Sequence, residues 1–189
     1  MKKNNFLREV LSTSLYLLCV LVLTYLVIHF VGQRTIVDGA SMEPTLYGKD
    51  EYNPSKVYDN LIVDKISYRF IDPKRFDIIV FPYRYSDEKY IKRIIGLPGE
   101  TIQIDTDGNI YINGNLLKEG YGREVIRNPG RAIDPVTLGD DEYFVMGDNR
   151  NNSQDSRAED VGNIKRSEII GRAWVRIWPL NRFGLLKHQ

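Results

Sequence analysis

Apolar residues fall into two patterns along this chain. Between residues 10 and 33 they run together without a single Asp, Glu, Lys or Arg. Beyond that they alternate with polar residues in short runs broken by Gly, Pro, Asn and Asp. The first pattern predicts a helix: at ~1.5 Å per residue it spans roughly 36 Å, against a hydrocarbon core of about 30 Å. It contains no proline, and its one glycine, Gly32, lies at the outer edge. A cleavable leader has an apolar run of only ~7–15 residues followed by a small-x-small site. This run is longer and ends in His29-Phe30-Val31, which favours a retained span over a cleaved leader. Lys2, Lys3 and Arg8 precede it, and Arg34, Asp38 and Glu43 follow it. The positive-inside bias therefore assigns residues 1–9 to the cytoplasm, 10–33 to the membrane and 34–189 to the outside of the cell.

The second pattern predicts strands over residues 35–41, 61–68, 76–81, 90–95, 101–104, 109–112, 142–146 and 169–178. The run at 76–81 is apolar enough to be buried on both faces. Asp107-Gly108 is a hairpin signal, and Pro179 stops the last strand. Residues 49–60 read as a surface loop. Residues 114–139, rich in Gly, Pro and charge, predict an irregular excursion with little core. Trp174 is expected in the core. The terminal Phe183-Gly184-Leu185-Leu186, with Trp178, is open between core and an apolar surface resting on a bilayer. The fold class is thus mainly β, with antiparallel sheets over one core, preceded by one transmembrane helix.

Charge and composition narrow the chemistry. The 189 residues carry a formal net charge of only +1, with no clustered basic stretch, so no nucleic-acid partner is expected. Cys19 is the only cysteine, and His29 and His188 are the only histidines. That argues against a Ser-His-Asp triad, a thiolate nucleophile and a histidine-ligated metal, so neither metal nor cofactor is expected.

One stretch stands out, Gly39-Ala40-Ser41-Met42-Glu43-Pro44-Thr45-Leu46, directly after the apolar run. Small residues flank the serine, and Pro44 pushes Glu43 away from helix. A serine nucleophile needs a base, which here must be a lysine or a carboxylate. Lys92 is the best-placed lysine. In an alternating strand Tyr90, Lys92 and Ile94 share one face and Ile91, Arg93 and Ile95 the other. An unperturbed lysine is neutral in only about one molecule in a few thousand at pH 7. Desolvation among isoleucines lowers that barrier. The polar loop from Gly147 to Arg157 offers a second hydroxyl, Ser153, and an acid-base pair, Asp155 and Arg157, able to orient an amine.

Together these stretches resemble the bacterial type I signal peptidases. Ser41-Met42-Glu43-Pro44-Thr45-Leu46 resembles that family's nucleophile box, and Asp77-Ile78-Ile79-Val80-Phe81 its buried strand. Tyr90-Ile91-Lys92-Arg93-Ile94-Ile95-Gly96-Leu97-Pro98-Gly99-Glu100 resembles its lysine box. Gly147-Asp148-Asn149-Arg150, continuing to Ser153, Asp155, Ser156 and Arg157, resembles its last box. Order and anchor agree, and the resemblance covers essentially the whole chain. It implies that Ser41 attacks the carbonyl at the cleavage site of a secretory preprotein, with Lys92 as general base. It implies that Ser153 holds the Lys92 amine and that Asp155 and Arg157 brace the site, with Arg93 and Asp148 as further members. Val37, Asp38, Val80, Tyr90 and Ile91 would border pockets for small residues at substrate positions −1 and −3. The implied fold is a β-rich catalytic core of the kind shared with LexA-type proteins, with a short cap at about 105–141. The expected setting, from the apolar span, is the plasma membrane with the lipid bilayer as partner, and the chain is expected to be a monomer. Some members carry a serine two positions before the nucleophile, donating to the oxyanion; here that position is Gly39, which shifts the role toward the Ser41 backbone N–H. The loop at 49–57 is slightly longer than usual for the family.

Two other readings remain distinct. A self-cleaving LexA-type repressor needs an N-terminal DNA-binding helix pair where this chain has an apolar span. A non-catalytic, signal-peptidase-like assembly factor that binds secreted subunits is expected to lack the nucleophile or the base, and both are present.

Overall fold

The computed structural model describes residues 2–26, 32–50, 52–53, 55–122 and 124–186. His29, His188, Glu51 and Pro54 lie outside them. Helix α1 (Lys2–Leu26) carries the apolar run, and its segment Arg8–Tyr25 is long and apolar enough to cross a membrane. The side chains of residues 8–25 are all exposed, including Leu11 and Leu15, and none of the described residues covers them. The helix starts earlier than the expected span and is described only to Leu26. Gly32 and Gln33, counted with the apolar run, belong instead to strand β1 (Gly32–Ile36).

Strand β1 opens the larger of two sheets. Its neighbours are β2 (Asn60–Asp64), β3 (Ile78–Pro82), β4 (Lys89–Gly96), β9 (Glu142–Met146), β10 (Ile164–Lys165), β11 (Gly171–Trp178) and β12 (Gly184–Leu185). They lie in the order β1-β2-β11-β3-β4-β9-β10, with β12 on β11. The smaller sheet runs β7-β6-β5-β8 and comprises β5 (Thr101–Ile104), β6 (Ile110–Ile112), β7 (Asn115–Leu116) and β8 (Val136–Thr137). All of these strand pairings are antiparallel.

Period-2 alternation explains how the sheets are buried. In β3, Ile78 and Val80 enter one core cluster with Val37, Met42 and Ile91, while Ile79 and Phe81 enter another with Tyr68 and Ile94. The strand is therefore buried on both faces, as its unbroken apolar run predicts. In β9, Tyr143 and Val145 face that second cluster, while Phe144 and Met146 face a third, built on the small sheet.

Several sequence expectations need correction. The strand predicted at 35–41 ends at Ile36, and Ser41 sits on a turn. The run at 61–68 stops at Asp64, whose carboxylate accepts the N–H groups of Ile66 (2.9 Å) and Ser67 (3.0 Å) and starts a short 3-10 turn at Ser67–Arg69. The excursion at 114–139 is not core-poor. Ile126, Ala132 and Leu138 are buried against Ile102, Ile104 and Ile110, and β8 of the excursion pairs with β5. Trp174 is 43% exposed rather than core, and it falls at the break in the β11–β2 register between Ala173 and Val175. Trp178, Leu180, Phe183 and Leu185 are exposed beside it, while Leu186 is buried.

Candidate active site

Four segments converge on Ser41. The serine lies on the turn after β1, between Gly39, whose φ is +68°, and Pro44. A parallel bridge pairs Asp38 with Lys49, and the Gly39 N–H donates to Lys49 O (3.1 Å) and to the Asp38 carboxylate (2.9 Å). Asn149 pins the other side: its N–H donates to Ser41 O (3.0 Å) and its Nδ2 to Ala40 O (3.1 Å). Gly147 packs so closely here that a Cβ would overlap both the Ser41 carbonyl and Ser153 Oγ. Among the described residues the Ser41 N–H has no acceptor, which leaves it open to an incoming oxygen.

Lys92 reaches this turn from β4. Its register pairs Lys92 with Ile79 and Tyr90 with Phe81, on the face where Ile94 is also buried. The amine contacts Ser41 Oγ at 2.8 Å, and the residue is only 4% exposed. Burial pushes its pKa down from 10.5 to about 8, opposed by the negative charges of Asp155 and Asp148. At pH 7 about one such lysine in ten is neutral, a gain of more than a hundredfold over an ordinary one.

Two buried ion pairs back this arrangement. Arg93, fully buried, donates through Nε (2.8 Å) and Nη2 (2.7 Å) to the two oxygens of Asp148. Its guanidinium stacks on Tyr121 at 3.5 Å, and its Nη1 donates to Phe76 O (2.9 Å). Arg157 makes the same two-pronged pair with Asp155 (2.8 and 2.9 Å), and Asp155 also accepts the Gly147 N–H (3.0 Å). Such geometry is what makes a buried charge tolerable. Arg157 Nη2 further donates to Arg150 O (2.6 Å), and Arg150 pairs with Glu119 of the excursion. The two ends of the loop, 147–150 and 155–157, are thus buried, while Asn151, Asn152 and Gln154 between them are exposed.

A groove of about 620 Å³ runs past the Ser41–Lys92 contact. Val37, Asp38, Tyr90 and Ile91 line it, together with Met42 and Gln154. Val80, expected at the groove, does not line it. It is 1% exposed and lies in the core beneath, cross-strand from Ile91. Ser153 is near but not engaged with the amine: its Oγ is buried with no hydrogen-bond partner among the described residues. Asn149 and Gly147 were missed from sequence; the only signal for them was their place inside the Gly-Asp-Asn-Arg run. Among the described residues no cluster of His, Cys, Asp or Glu is arranged to hold a metal.

Comparison with known proteins gives a consistent set of relatives. Residues 8–178 match the family described as signal peptidase, peptidase S26. A probable signal peptidase I-2 from Synechocystis sp. is 42% identical over 163 residues, which cover 83% of this chain and 68% of the relative. Signal peptidase I of Leptolyngbya laminosa is 44% identical over 165 residues, 83% of this chain and 74% of that one. Signal peptidase I of Bacillus amyloliquefaciens is 37% identical over 185 residues, 94% of this chain and 93% of that one.

Proposed function

The chain belongs to the signal peptidase S26 family, and on that premise we propose that Ser41 and Lys92 form the nucleophile and general base with which it removes signal peptides from secretory preproteins. The enzyme is a type I signal peptidase, a serine peptidase. The observation that carries the assignment of the dyad is the 2.8 Å contact between the Lys92 amine and Ser41 Oγ on the floor of the groove.

The chemistry follows from the protonation states. Neutral Lys92 takes the Ser41 hydroxyl proton as Oγ attacks the scissile carbonyl. The developing oxyanion is received by the free Ser41 N–H; a donor of this kind is typically worth ~10²–10³ in rate. The ammonium of Lys92 then returns its proton to the leaving amine, which becomes the new N-terminus. The remaining ester on Ser41 is hydrolysed by water, which Lys92 deprotonates in turn. Asp148 and Asp155, held by Arg93 and Arg157, keep the loop in place and temper the depression of the Lys92 pKa.

Val37, Asp38, Tyr90 and Ile91 border the acyl side of the cleaved bond, which takes small residues at −1 and −3. Helix α1 anchors the enzyme in the plasma membrane as a single span, with its N-terminus in the cytoplasm and residues 34–189 outside, and the catalytic domain acts as a monomer. The test is cleavage of a preprotein carrying Ala at −1 and −3, in liposomes, by the wild type and by Ser41→Ala. Cleavage by the wild type alone is expected. Equal cleavage by both would remove Ser41 from the reaction, and binding without cleavage by either would favour a non-catalytic assembly factor.

A further inference from the structure

Lys92 poses a physical problem that its own strand does not solve. It lines an open groove that a substrate must enter, yet it is 4% exposed, and its burial is the largest influence on its proton affinity. Something on the groove side must keep water off the amine. The group in that position is the Tyr90 ring, whose centroid lies 4.9 Å from Lys92 Nζ.

Tyr90 is itself tied down from two directions. Its ring stacks on Tyr83, centroids 4.7 Å apart and planes within 6°. Tyr83 stands at the end of the β3–β4 hairpin, where its N–H donates to Glu88 O (2.8 Å). The Tyr90 hydroxyl donates to Gln154 Oε1 (3.1 Å), on the loop that carries Ser153 and Asp155. Gln154 Nε2 donates to the Tyr83 hydroxyl oxygen (3.3 Å) and to Asp160, and the Tyr83 hydroxyl donates to Asp160 Oδ2 (2.6 Å). The four side chains form a closed circuit joining the hairpin, β4 and the catalytic loop across the groove wall. None of them touches Ser41, and the signal-peptide chemistry above makes no use of Tyr83, Gln154 or Asp160.

We propose that Gln154, Tyr83 and Asp160 are positioning residues that hold the Tyr90 ring as a lid over Lys92, excluding water from the base while leaving the serine open to substrate. The proposal rests on Lys92 being the base. The circuit persists across the working pH range. The hydrogen bond to Asp160 pushes the Tyr83 hydroxyl up to about 12, and the same bond holds the Asp160 carboxyl below its usual value. Other charges face the amine too. Asp155 and Asp148 approach from the loop, each already paired with an arginine, and Asp87 and Glu88 line the groove from the hairpin. The ring face attracts an ammonium, but the exclusion of water acts in the opposite sense, and burial is the largest influence on this amine.

The experiment is the pH dependence of kcat/KM for preprotein cleavage by the full chain in liposomes, from pH 6 to 10, for wild type, Gln154→Ala and Tyr83→Phe. Gln154 is exposed, so its loss leaves the core untouched. Tyr83→Phe keeps the ring stack and removes only the hydroxyl bonds. With the lid loosened, the Gln154→Ala midpoint should move up by about half to one pH unit. The rate at pH 7 should then fall about three- to tenfold and recover to the wild-type value above about pH 9.5. Tyr83→Phe should shift the same way by less. A wild-type limb near pH 8 with variant curves of unchanged midpoint, lowered equally at every pH, would overturn the lid and leave Lys92 as base. A wild type with no limb in this range would overturn both.

Discussion

Two lysines end on the same turn of chain and meet opposite fates. Lys92 contacts Ser41 at 2.8 Å, and Lys56 contacts Glu43 at 2.6 Å. Lys56 is half-buried, and the hydrogen bond to the Glu43 carboxylate pushes its pKa up. Lys92 is buried against a hydroxyl, which offers no charge, and its pKa falls to about 8. On the proposed mechanism a lysine becomes a base here not through contact with an oxygen but through dryness combined with anions kept one step away. Asp148 and Asp155 are close enough to act on Lys92, yet each is already committed to an arginine.

The comparison can be broken most severely at its catalytic end. Lys92→Met should lower preprotein cleavage by at least ~10⁴-fold, as loss of a nucleophile–base partner does elsewhere, while Lys56→Met should change it less than about threefold. Steady-state cleavage at pH 8 decides between them, and equal losses would mean that Lys92 has no special role. Next in size is the cost of breaking a committed anion. Asp148→Asn leaves Arg93 as a fully buried cation without its counter-charge, a loss of about 3–5 kcal/mol of stability. Urea unfolding in detergent reads this directly.

A third effect is smaller and has a definite sign. The folded-state pKa of Lys92, about 8, lies below the ordinary 10.5. Between those values the unfolded chain holds a proton that the folded one lacks. The penalty is therefore complete below pH 8 and disappears as pH rises toward 10.5. The gap corresponds to about 3 kcal/mol, so Lys92→Met should gain up to that much stability at pH 7 and progressively less by pH 10. Lys56→Met stands at the other extreme: it removes a part-buried ion pair with Glu43 and should lower stability by about the same amount at pH 7 and pH 9, since the raised pKa keeps Lys56 protonated at both.

Much of this was legible in the sequence for local reasons. Strands β3 and β9 announced themselves by continuous apolar runs, and the β5–β6 hairpin by Asp107-Gly108. The site residues fall within short, dense motifs, and the structure brings Ser41, Lys92 and the two acid-base pairs together. What escaped depends on distant contacts. Ile126, Ala132 and Leu138 are scattered among Gly, Pro and charged residues, and only the small sheet above them makes a core of that excursion. Trp174 looks like a core residue until β11 is seen to leave one face uncovered at that point. Val80 is legible as buried, but whether it sits under the groove or in it depends on the pairing of β3 with β4. Ser153 Oγ lies against Gly147, without engaging the amine expected of it. The asparagine that fixes the nucleophile turn, Asn149, has the same composition cue as its solvent-facing neighbour Asn151.

On the proposed mechanism Ser41 forms a covalent ester with the signal peptide during turnover. This is tested most directly by acid-quenching wild-type enzyme during turnover of a preprotein and weighing the proteolytic fragment that contains Ser41. A fraction of that fragment should be heavier by the mass of the signal peptide less one water, and absent in Ser41→Ala. No adduct there, or an adduct on another residue while cleavage proceeds, would contradict it.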